Sequence, residues 1–288
     1  MPDGVIDEIG PWSEVKLEII KEYGAAYSKI FHGKKQSWAK HMYIDAFSGP
    51  GVCISRETKK FVAGSPLNAL LVKPPFREFH LFDIDGAKIE MLRQTASLAS
   101  KANGISEEAV TIHRGDCNER LINELLPLIK ADNRRRALCI LDPYKLQLLW
   151  EVISGAGASK RIDLFLNFPM MDINRSVLWH DTTLVDPDNV GRMNSFWGDD
   201  SWHRIAYNRE TDLFGIENDE KASTNWQLVL AFKERLKKVA GFRQVPDPMP
   251  MRNSRGAVVY YLFFASQKSV ALNIVKSIFK KYRNVGIK

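Results

Sequence analysis

Four aspartates stand at or near the ends of apolar runs: Asp45, Asp83, Asp116 and Asp142. A carboxylate is costly to bury unless it meets a cation or amide donors. If the apolar runs are parallel strands, their carboxyl ends share one edge of a sheet, which is where α/β proteins bind ligands. We therefore expect the four acids to surround one ligand.

A glycine turn directly follows the first of these acids. Residues 43–51 read Tyr-Ile-Asp-Ala-Phe-Ser-Gly-Pro-Gly, so Gly49 and Gly51 bracket a proline at the end of a predicted buried strand. Glycine has no Cβ, and a ligand can therefore approach this backbone closely. An ordinary strand and loop remain the alternative. Further on, Gly64-Ser65-Pro66 predicts a helix with Ser65 as its N-cap, whose free amide groups would point at the same ligand.

The elements that must position these residues alternate between strand and helix. Such an order predicts a parallel sheet with helices on both faces. A last pair of strands, the second of them antiparallel, would complete a seven-stranded sheet. The predicted fold class is therefore α/β, a Rossmann-like sheet that is mostly parallel and carries an α-helical insertion. The predicted strands are residues 42–47, 79–85, 110–113, 137–141, 162–168, 242–245 and 258–265.

The alternation breaks down at residues 172–225, which are rich in aromatic side chains. We interpret this stretch as a helical insertion over the carboxyl edge. An amphipathic helix at residues 11–32, with Trp12, Ile19 and Tyr23 on its apolar face, dominates an N-terminal helical segment, residues 1–40. The chain as a whole, residues 1–288, is predicted to form one domain.

The acids favour S-adenosylmethionine over a nucleotide as the ligand. There is no Gly-x-x-x-x-Gly-Lys-Ser/Thr, and no three-glycine turn opens directly into a helix. S-adenosylmethionine offers an ammonium, a ribose diol and an adenine amine, which Asp45, Asp83 and Asp116 would respectively bind. Asp85 competes with Asp83, because alternate residues of a strand share a face. The predicted cofactor site is Asp45, Phe47, Gly49, Gly51, Ser65, Asp83 and Asp116.

Asp142-Pro143-Tyr144 resembles the Asp/Asn-Pro-Pro-Tyr/Phe motif of amino-methyltransferases that act on nucleic acids. The resemblance implies that Asp142 accepts a hydrogen bond from the target amine while Tyr144 stacks on the base. This sequence has one proline where the motif has two, which shortens the turn before Tyr144. The alternative role for Asp142 is a helix N-cap.

Several longer stretches resemble the three-Cys-motif partner protein family, which has a methyltransferase-like fold. They are residues 43–51, Gly-Ser-Pro-Leu at 64–67, Asp-Pro-Tyr at 142–144, Leu-Asn-Phe-Pro at 166–169, Asp-Ile-Asn-Arg at 172–175 and Tyr-Tyr-Leu-Phe-Phe-Ala at 260–265. The resemblance implies a protein partner with a three-cysteine motif of the iron–sulfur type. Those cysteines belong to the partner, so Cys53, Cys117 and Cys139 inherit no role. Their scattered spacing also predicts no metal site.

Charge is the remaining guide to the substrate. From Lys233 onward the chain has 13 Lys or Arg and 2 Asp or Glu, an excess of +11 within a net charge of +7. This excess permits contact with a nucleic acid. We assign Asn167, Arg252 and Arg255 to the substrate and predict an S-adenosylmethionine-dependent methyltransferase that acts on a nucleic-acid base. A partner subunit that keeps only the fold, and a small-molecule methyltransferase, are the alternatives.

No stretch approaches the roughly 18 consecutive apolar residues that a bilayer requires, and no signal segment is evident at the N-terminus. We expect a cytoplasmic protein without a membrane partner.

Overall fold

The computed structural model describes residues 4–211, 217–221, 224–283 and 285. Its strands are β1 (Glu8–Ile9), β2 (Lys40–Asp45), β3 (Val52–Ser55), β4 (Phe61–Ala63), β5 (Glu78–Asp83), β6 (Val110–Arg114), β7 (Arg135–Leu141), β8 (Ile162–Phe168), β9 (Tyr207–Thr211), β10 (Glu217–Lys221), β11 (Met249–Arg252) and β12 (Val258–Ala265). Its α-helices are α1 (Pro11–His32), α2 (Ser65–Leu70), α3 (Gly86–Asn103), α4 (Cys117–Arg120), α5 (Leu126–Ala131), α6 (Trp150–Ser159), α7 (Met170–Ser176), α8 (Pro187–Trp197), α9 (Ser201–Ala206), α10 (Asn225–Lys238) and α11 (Ser269–Tyr282). A π-helical turn at Leu121–Leu125 joins α4 to α5, and 3₁₀ turns lie at Glu107–Ala109 and Thr182–Leu184.

A seven-stranded sheet forms the centre of the molecule, in the order β11-β12-β8-β7-β2-β5-β6. The five strands from β8 to β6 run parallel, whereas β12 is antiparallel to both of its neighbours. This topology confirms the predicted mixed α/β, Rossmann-like fold with a seven-stranded, mostly parallel sheet. The strand that ends in Asp45 lies between β7 and β5, so the carboxyl ends of three strands meet around it.

Helices bury both faces of this sheet, which explains the nearly continuous apolar runs in its strands. On one face, Tyr43 and Leu138 join a core that includes Ile19 of α1 and Val275 of α11. On the other face, Ile44 and Cys139 pack in a second core with side chains from helices α6 and α10. Helix α1, on the first of these faces, proves to supply a residue of the candidate site.

The predicted sixth strand, residues 242–245, is not a strand of the sheet, and the stretch pairs through a single antiparallel bridge between Gln244 and Ser266. Phe242 and Val245 are buried, which produced the strand-like pattern, but the Phe242 N–H bonds the Leu236 carbonyl at the end of α10. The sixth strand of the sheet is instead β11, which contains Pro250. A proline is tolerated there because β11 is an edge strand and one side of its backbone needs no ladder hydrogen bonds.

Three other local predictions need correction. Gly64, not Ser65, is the N-cap of α2, and Ser65 is the first helical residue. Residues 52–63, for which no strand was predicted, contain β3 and β4, which form a small sheet with β1. Within residues 172–225, helices extend only to Ala206, and the strand pair β9 and β10 follows where a helix was predicted.

In the part of the chain that the structure describes, no helix is both long and apolar enough to cross a membrane.

Candidate functional site

Asp45 ends β2 as a fully buried carboxylate. It accepts hydrogen bonds from the Tyr43 hydroxyl at 3.2 Å and the Phe47 N–H at 3.3 Å. Burial raises the pKa of Asp45 to about 6, and the nearby Asp142 carboxylate adds to the rise. At neutral pH this buried group is therefore an anion, and a cationic ligand would stabilise it.

The glycine turn after Asp45 is built as the sequence predicts. Gly49 and Gly51 have φ angles of +60° and +84°, which side chains with a Cβ rarely adopt. A Cβ on Gly51 would also lie 2.6 Å from a methyl carbon of Leu67. The Gly64 N–H donates to the Gly51 carbonyl at 2.8 Å, which holds the start of α2 against the turn.

The structure separates the two competing acids after β5. Asp85 is the N-cap of α3 and accepts from the Ala87 and Lys88 N–H groups at 2.8 and 3.2 Å, which lower its pKa. Asp83 instead faces the glycine turn, where it accepts from the Gly49 N–H at 3.0 Å. Asp83 is therefore the acid at the carboxyl edge beside Asp45.

Asp116 follows β6 and serves first as the N-cap of α4. Its Oδ1 accepts from the Asn118 backbone N–H at 2.9 Å and the Asn118 side-chain amide at 3.0 Å. Asn118 also bonds the carbonyl of Gln147 and the N–H of Leu149. This cap connects the end of β6 to the loop that follows Asp142.

Asp142, directly after β7, is held by two partners. Lys16 of α1 forms an ion pair with Oδ2, and the Asn167 side-chain amide donates to Oδ1 at 2.8 Å. Lys16 is itself buried, with its ammonium 5.5 Å from the centre of the Tyr260 ring. Burial alone would lower the pKa of Lys16, but the Asp142 carboxylate outweighs it and raises that pKa above its usual value. Lys16 is therefore a buried cation paired with the half-buried carboxylate of Asp142.

Asn167 contributes an acceptor that is not satisfied by the described residues. Its Oδ1 is buried and makes no hydrogen bond within that part of the chain. The orientation of the amide follows from its other end, since the opposite orientation would point an oxygen at the Asp142 carboxylate. An unmet buried acceptor costs roughly 1–3 kcal/mol. An N–H or O–H donor from a ligand would remove that cost.

The rest of the Asp-Pro-Tyr motif leaves the core. Pro143 is buried, but Tyr144 is 76% exposed. Helix α6 begins only at Trp150, with Leu149 as its N-cap. Asp142 is therefore not the cap of that helix, and the exposed Tyr144 ring is accessible from solvent.

The predicted substrate arginines lie near the same edge. Since β12 is antiparallel to β8, the loop between β11 and β12 lies beyond the carboxyl end of β8. Arg252, predicted in that loop, ends β11 and donates to the Gly256 carbonyl at 2.8 Å. Arg255 is exposed in the loop.

The basic side chains of α10 do not form a free surface. Each of them contacts an acid: Lys233 with Asp247 at 2.7 Å, Arg235 with Asp199 at 2.9 Å, and Lys237 and Lys238 with Glu234 at 3.1 and 3.4 Å. The excess of positive charge in the C-terminal sequence is thus partly neutralised on α10, where four of its cations are clustered.

Sequence reasoning missed Lys16. The feature of the sequence that could have pointed to Lys16 is its position on α1. It comes four residues after Trp12 and three before Ile19, so it lies on the apolar face of the helix. A lysine in such a stripe is either extended to solvent or paired inside. Nothing in the sequence identified Asp142 as its partner.

The described residues contain no cluster of three or more His, Cys, Asp or Glu that could hold a metal ion.

No protein-family model and no curated protein sequence matches the chain. Among solved structures, the chain is similar to protein LPL1258 from Legionella pneumophila str. Philadelphia 1, described under the family model DUF519. That likeness has 12% identity and a TM-score of 0.46, and it covers 94% of each chain. It is also similar to Trm1 from Pyrococcus horikoshii in complex with S-adenosyl-L-methionine, with 11% identity and a TM-score of 0.44, over 92% of this chain and 58% of that one.

Proposed function

We propose that this protein is an S-adenosylmethionine-dependent methyltransferase and that its target is an amine of a nucleic-acid base. The observation that carries the proposal is the unmet Asn167 acceptor beside Asp142, at the sheet edge that also holds Asp45 and the glycine turn. An amine has the N–H groups that such a pair of acceptors requires.

The charges at the edge suit the cofactor. The acids Asp45, Asp83, Asp116 and Asp142 outnumber the one cation, Lys16, so the edge carries net negative charge above about pH 6, given the raised pKa of Asp45. S-adenosylmethionine carries a sulfonium, an ammonium and a carboxylate, which is one net positive charge. Asp45 is the partner for the ammonium, and Lys16 is the cation for the carboxylate.

Other groups at the edge complete the proposed cofactor site. Asp83 would bind the ribose hydroxyl groups, because Asp85 is committed to capping α3. Asp116 would bind the adenine amine. Gly49 and Gly51 let the ligand approach the backbone. When bound, the cofactor supplies a methyl group that its sulfonium charge has already activated.

The protein's own contribution is then to position the amine. Asp142 and Asn167 present two acceptors next to each other, fixed by a hydrogen bond between them. Two hydrogen bonds to one amine determine where its nitrogen lone pair points. Orientation of this kind contributes a large part of the rate in reactions with an activated donor. Tyr144 is exposed beside the pair and is available for stacking on a base.

One observation favours a second candidate. Both oxygens of Asp142 are already engaged, by Lys16 and by Asn167, as a structural ion pair would be. A methyltransferase-fold subunit that binds a three-cysteine-motif protein would need no free Asp142. The sequence resemblance to the partner protein family supports this candidate as well.

Calorimetry and methyl transfer distinguish the two. We expect the purified protein to bind S-adenosylmethionine, and to transfer labelled methyl groups to RNA or DNA. Absence of any binding heat would exclude the cofactor. Binding without transfer to any nucleic acid, in the presence of a three-cysteine-motif partner as well as alone, would exclude the substrate and leave the partner-subunit candidate.

A further inference from the structure

A basic cleft lies directly beside the Asp142 motif. Its volume is about 260 Å³. Three cations and one acid contribute to its walls, together with neutral polar side chains. The lining residues are Lys145, Leu146, Asp172, Arg175, Ser176, Asn189 and Arg192.

The three cations are available to a ligand. Lys145, Arg175 and Arg192 are all exposed, and none of them forms an ion pair with a described carboxylate. Arg192 donates through Nε to the Asp188 carbonyl at 3.3 Å, which leaves both of its terminal nitrogens uncommitted. This contrasts with α10, where each cation contacts an acid.

The backbone places the cleft next to the site where the amine would bind. Lys145 follows the exposed Tyr144 and has a φ angle of +66°, so the chain turns sharply there. Arg175 belongs to α7, which starts three residues after Asn167. Two of the three cations of the cleft, Lys145 and Arg175, therefore come from the segments that directly follow the proposed amine-binding residues, and Arg192 is added by α8.

We propose that this cleft is the phosphate subsite of the substrate, and that Lys145, Arg175 and Arg192 bind backbone phosphates of a single-stranded polynucleotide. The inference rests on the proposed function and names its substrate class. Arginine binds phosphate through two parallel N–H groups, and lysine binds it as a point charge. An exposed aromatic ring next to such cations is the arrangement that holds a single strand, in which a base stacks while the adjacent phosphates are neutralised. An acidic peptide would use the cations but would have no use for the ring.

The test compares two triple variants with the same change in charge. The first is Lys145→Gln/Arg175→Gln/Arg192→Gln. The control is Lys34→Gln/Lys35→Gln/Lys130→Gln, in which three exposed lysines are removed near the amino ends of β2 and β7, at the opposite edge of the sheet. All six side chains are exposed, and we expect both variants to fold, which circular dichroism checks.

Binding of fluorescein-labelled 12-nucleotide single-stranded RNA and DNA is measured by anisotropy at two salt concentrations, without methyl donor. We expect the cleft variant to bind at least tenfold more weakly than the parent, and the control within about twofold. The slope of log K against log salt should fall by about 2 in the cleft variant, since each phosphate on a single strand contributes about 0.7. A loss with RNA alone, with DNA alone or with both supports the subsite; a loss with one of them also identifies the sugar, and a loss with both shows that the subsite accepts either.

Three results would overturn the inference: no nucleic acid bound by the parent at low salt, equal losses in the two variants, or competition by a 12-residue poly-glutamate as effective as by unlabelled oligonucleotide. Calorimetry with S-adenosylmethionine on the same preparations tests the proposed function separately. Oligonucleotide binding that depends on the cleft, in a protein that binds no cofactor, would refute the methyltransferase and keep the subsite. If the protein binds S-adenosylmethionine but the cleft variant binds the oligonucleotide as tightly as the parent does, the subsite is refuted and the methyltransferase is kept.

Discussion

Replacement of Lys16 by methionine tests the ion pair on which the candidate site depends. The substitution keeps most of the buried stem of the side chain and removes its charge. Asp142 would lose its cation while Asn167 still donates to it. The carboxylate would then be left partly buried without a counter-charge, beside the buried Asp45.

The size of the effect follows from burial. The side chains of Lys16 and Asp142 are 11% and 29% exposed. Removal of one partner from a fully buried pair costs roughly 3–5 kcal/mol, and exposed pairs contribute roughly 0–1 kcal/mol. Because water reaches part of Asp142, we expect Lys16→Met to lower the free energy of unfolding by roughly 2–3 kcal/mol, below the fully buried range.

Urea unfolding at pH 7 measures this loss. Lys21→Met on the same helix is the matched control, since Lys21 pairs with Glu18 at 3.2 Å but both side chains are about half exposed. We expect the control to change stability by less than about 0.5 kcal/mol. Lys16→Met/Asp142→Asn should recover most of the loss, because it removes the orphaned charge and keeps an acceptor for Asn167.

Two outcomes would contradict this reasoning. Equal effects of Lys16→Met and Lys21→Met would mean that the pair adds nothing to stability. A double variant as unstable as Lys16→Met would assign the loss to packing of the lysine stem instead of charge.

Three further predictions concern individual acids and the amide. Since burial raises the pKa of Asp45 to about 6 from 3.8, the folded protein holds this proton longer than the unfolded chain does, and the contribution of Asp45 to stability should fall as pH rises between those values. Calorimetry should correspondingly show S-adenosylmethionine affinity rising with pH through about 6, with a flat profile in Asp45→Asn. Asn167→Leu should change the affinity for S-adenosylmethionine by no more than a few-fold but slow methyl transfer by about a hundredfold, the scale of lost positioning. We expect the same two results for Asp142→Ala. Asp83→Asn should weaken S-adenosylhomocysteine binding at least tenfold, whereas Asp85→Asn should leave binding and stability nearly unchanged, because asparagine caps a helix about as well as aspartate.

Each of these has a clear contrary result. A flat pH profile in the unmodified protein would remove Asp45 from the cofactor site. Equal losses of affinity and transfer in Asn167→Leu would make the amide a cofactor contact or a structural group. A larger binding defect in Asp85→Asn than in Asp83→Asn would reverse the choice between those acids.

Local sequence determined the sheet and the position of its acids. Apolar runs that end in Asp45, Asp83 and Asp142 predicted strands, because a strand buried on both faces requires apolar side chains on both. Glycines at 49 and 51 predicted a turn, since few other residues adopt positive φ. Alternation of strands and helices then predicted a parallel sheet, whose carboxyl ends must share an edge.

Local patterns were less reliable where two signals compete. Ser65 and Gly64 are both acceptable N-caps, and only the backbone shows that the helix starts one residue earlier than predicted. The buried pair Phe242 and Val245 looked like a strand, although its N-terminal end is bound to the end of α10. Both errors arise because periodicity reports burial and not the hydrogen-bond partner.

Tertiary structure alone decided which charges meet. Lys16 and Asp142 are 126 residues apart, and Asn167 comes 25 residues after its partner. The cleft cations likewise come from the loop after β7 and from helices α7 and α8. The sequence shows the type of such residues and the face of the helix or strand on which they lie. Which charged residues form a pair is decided by the packing of the helices against the sheet. Pairing energy depends on distance and on the exclusion of water, and both exist only in the folded molecule.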